Sequence, residues 1–541
     1  MRFFCLTCTG GLLATLLASG IAAEPLNLIP APRSVNHGAG AYVLRSPVRI
    51  SVVSGSEDDR FAAGLFAREL KEVHGLEATV VSQPGGPVLI GRTGTPAIDA
   101  EIMRRKLDIS ALQHPESYLL DAGANGVLVA AKTAEGIYYG VQTLRQLAGT
   151  GGRVPNVRIA DWPALRYRAL SIDINRGPLL TEEQMKQAVE TAAEFKFNMV
   201  FFYLEHVFRY THSALAAPRG GEAVTWAYSP LENYSKYIEP FRKSGMDFMV
   251  CTAVHNWNRL FPAFATTRPN VNVFARDGKN TGAMGLMATH WADDGEALFN
   301  MTWYGVVFSA AAAWQDGLVD TEVFDRSFDW AFYRNRDHTF VGAIRRLEQV
   351  HELLRSVRAG EANSTLYWTD PFSRDGAEVM HRARPVASKM RLPAEEAALD
   401  LLIHGGTARH HAGTIRFLEL AAKRIDYLGM KIQFANEIGE LYRELRAAPA
   451  DDALATNNLR RIKGMDGLLP TLRDYSTEVK AAYRDAWLAE NRPYWLDNVL
   501  LDYDREALRW VDRIRFFESI HRRYPAAREI PDLEPMGVFL P

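Results

Sequence analysis

The run Asn198–Leu204 (NMVFFYL) constrains the fold more than any other part of this chain. An unbroken apolar stretch of this length suits a parallel strand covered on both faces. Parallel strands need crossover connections, usually helical. Helical spacing duly precedes the run at Glu182–Phe195, and the strand pattern Arg166–Ile174 (RYRALSIDI) precedes that. Ala223–Tyr228, Phe248–Val254 and Ala283–Ala288 read as further strands, with helices at Leu231–Lys243 and Asn300–Trp314. Residues 161–317 thus hold about five strand–helix units, where a complete (β/α)8 barrel has eight in about 250 residues. The segment predicts an incomplete barrel of that type.

The flanking segments differ from it. Residues 24–160 alternate short strands, such as Val48–Val53, Pro87–Gly91, Ser117–Leu120 and Gly126–Ala131, with helices at Glu57–Val73 and Thr133–Leu147. That is the pattern of an α/β layer domain. Residues 318–541 read almost wholly as helix, with Ile415, Leu418, Ala422 and Ile425 on one face and Arg416, Glu419, Lys423 and Asp426 on another. Long helices are predicted over Ala453–Ala489 and Val499–Arg523, punctuated by Pro393, Pro449, Pro470 and Pro493. The expected fold class is α/β: an N-terminal α/β domain, an incomplete (β/α)8-type barrel and a helical C-terminal domain.

Residues 1–23 (MRFFCLTCTGGLLATLLASGIAA) join a lone Arg2 to a short apolar stretch and small residues at Gly20, Ala22 and Ala23. This predicts a secretory signal, export to a periplasmic or extracellular compartment, and a mature chain from Glu24. No later stretch reaches about 18 uninterrupted apolar residues, so no transmembrane segment is expected. The 62 Lys and Arg balance 64 Asp and Glu without a basic run, which argues against nucleic acid as a partner. Of the 3 cysteines, Cys5 and Cys8 lie in the leader. Cys251, inside the apolar run DFMVCTAV, reads as a buried strand residue rather than a nucleophile.

Several chemistries are excluded quickly. His351-Glu352 fails the HExxH zinc pattern because position 355 is Arg. His404, His410 and His411 lack carboxylates at a defined spacing and read as exposed or capping loop histidines. Neither a metal nor a cofactor is expected. The stronger signal lies after the strands of residues 161–317, because barrel chemistry sits at the C-terminal strand ends. Those ends carry Asp173 and Arg176, then Glu205 and His206, Trp226 and Tyr228, His255, Asn256 and Trp257, and finally Trp291, Asp293, Asp294 and Glu296. Carboxylates and arginine clamp hydroxyls, and tryptophan stacks on the apolar face of a sugar ring. The set suits a neutral ligand rich in hydroxyls.

Four segments together resemble glycoside hydrolase family 20, the β-N-acetylhexosaminidases: Leu28–Val35 (LIPAPRSV), Ala134–Leu147 (AEGIYYGVQTLRQL), Ile159–Arg168 (IADWPALRYR) with Asp173-Ile-Asn-Arg176, and Thr289–Glu296 (THWADDGE). The resemblance covers roughly residues 25–316. It implies removal of terminal β-linked N-acetylhexosamine from an amino-sugar glycan by retaining, substrate-assisted hydrolysis. In that chemistry the 2-acetamido oxygen attacks the anomeric carbon, outside the two-carboxylate scheme. The resemblance also implies that Arg176 holds ring hydroxyls, that Trp291 walls the pocket with Asp293 on hydroxyls, and that Trp226 and Trp257 are further walls.

The chain departs from the family where the acid should be. The family carries an Asp-Glu dipeptide after its fourth barrel strand, and no such dipeptide occurs in these 541 residues. After Tyr203-Leu-Glu-His206 and Ala217-Pro-Arg-Gly-Gly221 the chain passes to Val224-Thr-Trp226, which resembles a later strand. About three barrel units are missing, roughly 90 residues at about 30 per unit. The catalytic pair therefore has no counterpart, and Glu205 and Glu296 are the substitute acids by position. Three functions stay open: the hydrolase, a non-catalytic sugar-binding pseudoenzyme on the same scaffold, and an interaction protein working through its helical half.

Overall fold

The structure, a computed structural model, describes residues 26–205 and 223–541. The expected leader, His206 and the segment Ala217–Gly221 lie outside the described residues.

The first sheet has seven strands. They are β1 (Ser34–Val43), β2 (Val48–Val52), β3 (Ala78–Val81), β4 (Val88–Arg92), β5 (Tyr118–Gly123), β6 (Gly126–Ala131) and β7 (Arg153–Asp161). Their order is β1-β7-β5-β6-β4-β2-β3. Helices α1 (Glu57–Glu72), α2 (Pro96–Arg105) and α3 (Ala134–Leu147) connect them. Thr133 caps α3 through its side chain, as Thr before a helical period does. Sequence periodicity missed β1, β3, β7 and α2. The first three are half-exposed or mixed in polarity, so their apolar residues do not alternate cleanly.

The second sheet has five strands, all parallel, in the order β10-β11-β12-β8-β9. They are β8 (Tyr167–Asp173), β9 (Met199–Tyr203), β10 (Ala223–Trp226), β11 (Phe248–Ala253) and β12 (Gly285–His290). Connecting helices are α4 (Glu182–Glu194), α5 (Ser235–Ser244), α6 (Phe264–Thr281) and α7 (Trp303–Trp314). One face packs Leu170, Val250, Leu286 and Ala288 into the main core. Register puts Trp226, Cys251, Met287, Ala169 and Met199 in a row across the other face. On that face Trp226 is 65% exposed and Phe201 39%, and both stand on the edge strands. The run NMVFFYL is thus an edge strand, covered less than its composition suggested.

The two sheets meet around buried polar groups. Asp161 accepts from Lys196 Nζ (3.1 Å), Tyr118 Oη (2.6 Å) and the Trp314 indole. Arg168, fully buried, grips Glu116 with both terminal nitrogens at 2.8 Å.

The elements after α7 are helices: α8 (Thr321–Phe328), α9 (Thr339–Ser356), α10 (Ser364–Trp368), α11 (Arg374–Ala383), α12 (Ala387–His404), α13 (Ile415–Ala447), α14 (Asp452–Lys463), α15 (Leu468–Glu490) and α16 (Leu496–Ala527). Two expectations are corrected. Pro393 lies inside α12 rather than ending it. The helix expected over Ala453–Ala489 is two helices, because Gly464 and Gly467 break it.

Candidate active site

The site grows from one short sequence, Asp173-Ile-Asn-Arg176, at the C-terminal end of β8. Asp173 is 1% exposed. Its Oδ1 accepts from the Asn175 amide (2.9 Å), and its Oδ2 from the Ala292 amide (3.1 Å) and Arg176 Nη1 (2.8 Å). One carboxylate thus ties the ends of β8 and β12 together and aims the guanidinium. Arg176 Nη2 donates to Glu205 Oε1 (3.0 Å), and Nε lies 3.8 Å from Asp293 Oδ1. Burial works against the charge, but Asp173, Tyr203 and Asp293 together hold the Arg176 pKa above its ordinary value. The guanidinium carbon stands 5.4 Å from the Tyr203 ring and 5.3 Å from the Trp291 ring. A guanidinium has five N–H donors, and these contacts leave some of them for a ligand.

An aromatic chain continues from there. Trp291 Nε1 donates to Tyr228 Oη at 3.0 Å. Tyr228 packs on Trp257 with centroids 5.5 Å apart, and the Arg259 guanidinium lies 5.0 Å from the Trp257 ring. Asn256 fastens the two ends: its Nδ2 donates to the Trp291 carbonyl (2.6 Å), and its Oδ1 accepts from the Trp291 amide (3.2 Å). The structure therefore brings together Arg176, Glu205, Trp257, Trp291 and Asp293. Trp226 stands exposed at the end of β10, without a ring partner among the described residues. Tyr203 is a contributor that the sequence reading did not single out, although it ends β9 and hydrogen-bonds Glu205.

Charge separates the two substitute acids. Glu205 lies at the open rim, its side chain 40% exposed, on Arg176 and Tyr203. Glu296 turns into the helical layer instead. Its oxygens accept from Trp368 Nε1 (2.6 Å) and Arg424 Nη2 (2.7 Å), and the residue is 6% exposed. Burial, only partly offset by Arg424, raises its pKa. Glu296 thus does not join the Arg176 cluster. Asp293 has its pKa raised by burial, against the pull of Arg176.

His410 and His411 are also corrected. They are not a free loop pair: their ring centroids lie 3.9 Å apart, tilted by 51°, and His410 Nε2 lies 2.9 Å from Glu194 Oε2, with His411 Nε2 at 3.4 Å. These three residues have the donor types of a cation site. Glu194 already meets Arg334 at 3.1 Å and Arg145 at 3.8 Å, so its carboxylate is charge-paired within the protein. A cavity of about 850 Å³ lined by Leu107, His114, Leu119, Arg158 and Trp162 shares no residue with the Arg176 cluster.

Comparison with known proteins adds the following. Residues 25–162 match the family profile of glycosyl hydrolase family 20, domain 2. A beta-hexosaminidase of Emericella nidulans is 28% identical over 249 residues, covering 40% of this chain and 40% of that protein. A beta-hexosaminidase of Porphyromonas gingivalis is 27% identical over 192 residues, covering 33% of this chain and 22% of that protein. A solved structure of a mutant Streptomyces plicatus beta-hexosaminidase in complex with product aligns over 44% of this chain and 48% of that one, at 23% identity and a TM-score of 0.30. The chain thus spans less than half the length of each. The matched residues 25–162 and these relatives make the chain similar to glycoside hydrolase family 20.

Proposed function

We propose that this chain is a β-N-acetylhexosaminidase-type glycosidase whose Arg176 cluster binds the terminal β-linked N-acetylhexosamine of a glycan. The observation that carries the reading is the guanidinium of Arg176, fixed by the buried Asp173, bordered by Asp293 and flanked by the rings of Tyr203 and Trp291. Hydroxyl donors and acceptors lie beside an aromatic wall, which is what a pyranose ring needs. Trp257 extends that wall through Tyr228, and Trp226 stands ready as a second one.

The five parallel strands are read as an arc of a (β/α)8 barrel. Their order is that of the sixth, seventh, eighth, first and second strands of a closed barrel. β9 and β10 then flank a gap of about three units. Among the described residues no strand lies beyond β9 or β10, and the exposure of Phe201 and Trp226 there supports this reading. The same reading divides the mature chain at about 160 and 317 and takes residues 1–23 as an export signal.

Substrate-assisted hydrolysis needs an acid for the leaving oxygen and a carboxylate to orient the acetamide. Without the Asp-Glu dipeptide, Glu205 is the acid that remains at the rim, since Glu296 is engaged by Arg424. A second reading, sugar binding without turnover, is favoured by that missing dipeptide.

Calorimetric titration with N-acetylglucosamine and hydrolysis of a chromogenic β-N-acetylglucosaminide test both, on the purified protein and its Arg176→Ala variant. Binding that the variant abolishes is the expected result. No affinity for N-acetylhexosamines in the folded protein overturns the proposal in favour of an interaction role. Turnover lost in the variant selects the hydrolase; binding without turnover selects the second reading.

A further inference from the structure

The helical C-terminal region places one aromatic side chain beside the Arg176 cluster. Trp495 precedes α16 with φ +70°, in the left-handed region, where a bulky side chain is an outlier. Such backbone persists only where its surroundings over-determine it, and it collects at ligand sites. Three contacts hold the residues just before it. Leu180 and Asn491 form an antiparallel bridge, and the Arg492 amide donates to the Leu179 carbonyl at 2.8 Å. Glu490 Oε1 and Oε2 accept the amides of Phe299 and Asn300, each at 2.7 Å. The segment before α16 is thereby tied to the loops after both β8 and β12.

The indole then lands on two glycines. A Cβ on Gly177 would lie 2.7 Å from Trp495 Cδ1, and one on Gly295 would lie 2.5 Å from Trp495 Nε1. No other residue type fits at either position while the ring stays. Gly177 follows Arg176, and Gly295 comes two residues after Asp293. The ring is therefore seated against the backbone of the two side chains assigned to the sugar. Its own surface is not buried: Trp495 is 41% exposed and Tyr494 63%. The indole N–H has no hydrogen-bond partner among the described residues, and the two rings lie 6.4 Å apart.

We propose that Trp495, with Tyr494 beside it, is a sugar platform that binds the second residue of a β-linked oligosaccharide whose first residue lies on Arg176. The proposal rests on the Arg176 cluster being a sugar site. The ring seated on Gly177 and Gly295 keeps an uncovered surface, and a pyranose ring needs an apolar face with a polar edge. The occupant is a neutral sugar ring, because the Arg176 cluster offers hydroxyl partners beside it.

The test compares the affinities of N-acetylglucosamine and its β-1,4 disaccharide for the protein and for Trp495→Ala and Trp495→Phe. Expected is a disaccharide affinity about tenfold weaker in Trp495→Ala, partly restored in Trp495→Phe, with monosaccharide affinity within about twofold. Radical footprinting of the unaltered protein supplies a readout that needs no variant. The disaccharide should protect the peptide carrying Trp495, and the monosaccharide should not. If both sugars bind, yet Trp495→Ala keeps their affinity ratio and the peptide stays unprotected, the platform is overturned while the Arg176 reading stands. If neither sugar binds the unaltered protein, both readings fall.

Discussion

Asp173 and Arg176 are locked together, Oδ2 to Nη1 at 2.8 Å, by a carboxylate that solvent does not reach. The same carboxylate also satisfies the amides of Asn175 and Ala292. Removing it frees the guanidinium and orphans two backbone donors. Asp173→Ala should therefore destabilise the protein by about 2–4 kcal/mol. It should also weaken N-acetylglucosamine binding at least about tenfold. Urea melts and calorimetric titration check the two halves. An unchanged affinity in the folded variant would show that Arg176 needs no such anchor.

Glu296 pairs with Arg424 rather than with the Arg176 cluster, with side chains 8% and 3% exposed. Breaking such a pair from one side strands the other charge. Arg424→Met should cost about 3–5 kcal/mol, and adding Glu296→Gln should recover much of that loss. Neither variant should move N-acetylglucosamine affinity by more than about twofold in folded protein. A Glu296→Gln protein that lost turnover at unchanged melting temperature would mark Glu296 as a proton donor after all.

Cys251 sits in β11 at 4% exposure, and burial pushes its thiol up to about 12. Reactivity belongs to the thiolate, so native protein should resist iodoacetamide at pH 8. Labelling should appear only with unfolding, and its rate should follow the unfolding transition. Fast labelling of native protein would place Cys251 at an accessible surface.

What the sequence disclosed follows the physics of each signal. β8 to β12 are apolar runs in a helix-rich frame, and their ends were legible to within about two residues. β1 was not, because most of Ser34–Val43 is exposed and two of its residues are glycine. Arg176, Trp291 and Asp293 were legible because each follows a strand, where barrel chemistry collects. The turn of Glu296 into the helices was not, since its partner Arg424 lies 128 positions away. Trp495 was equally hidden: its neighbours, Gly177 and Gly295, are distant in the chain and carry no side chain to advertise the contact. The pairing of His410 and His411 with Glu194 has the same cause, a sequence separation of 216 residues for His410.

His290 ends β12 at 1% exposure, its ring edge-on to Phe299, with no hydrogen-bond partner for either nitrogen. Burial lowers its pKa from 6.5 to about 4. Between those values the unfolded chain binds a proton that the folded one refuses, so stability rises with pH there. The contribution is complete above about pH 6.5 and is lost as pH falls through about 4, on the order of 3 kcal/mol in all. His255, His351 and His411 shift in the same direction, while Asp329 and Glu490, raised to about 7, oppose them. A single variant isolates one contribution from that sum. His290→Leu should reduce the stability lost between pH 7 and pH 4.5 by about 2–3 kcal/mol, read from urea melts at both pH values. A variant that loses as much as the parent would mean that His290 is protonated in the folded state.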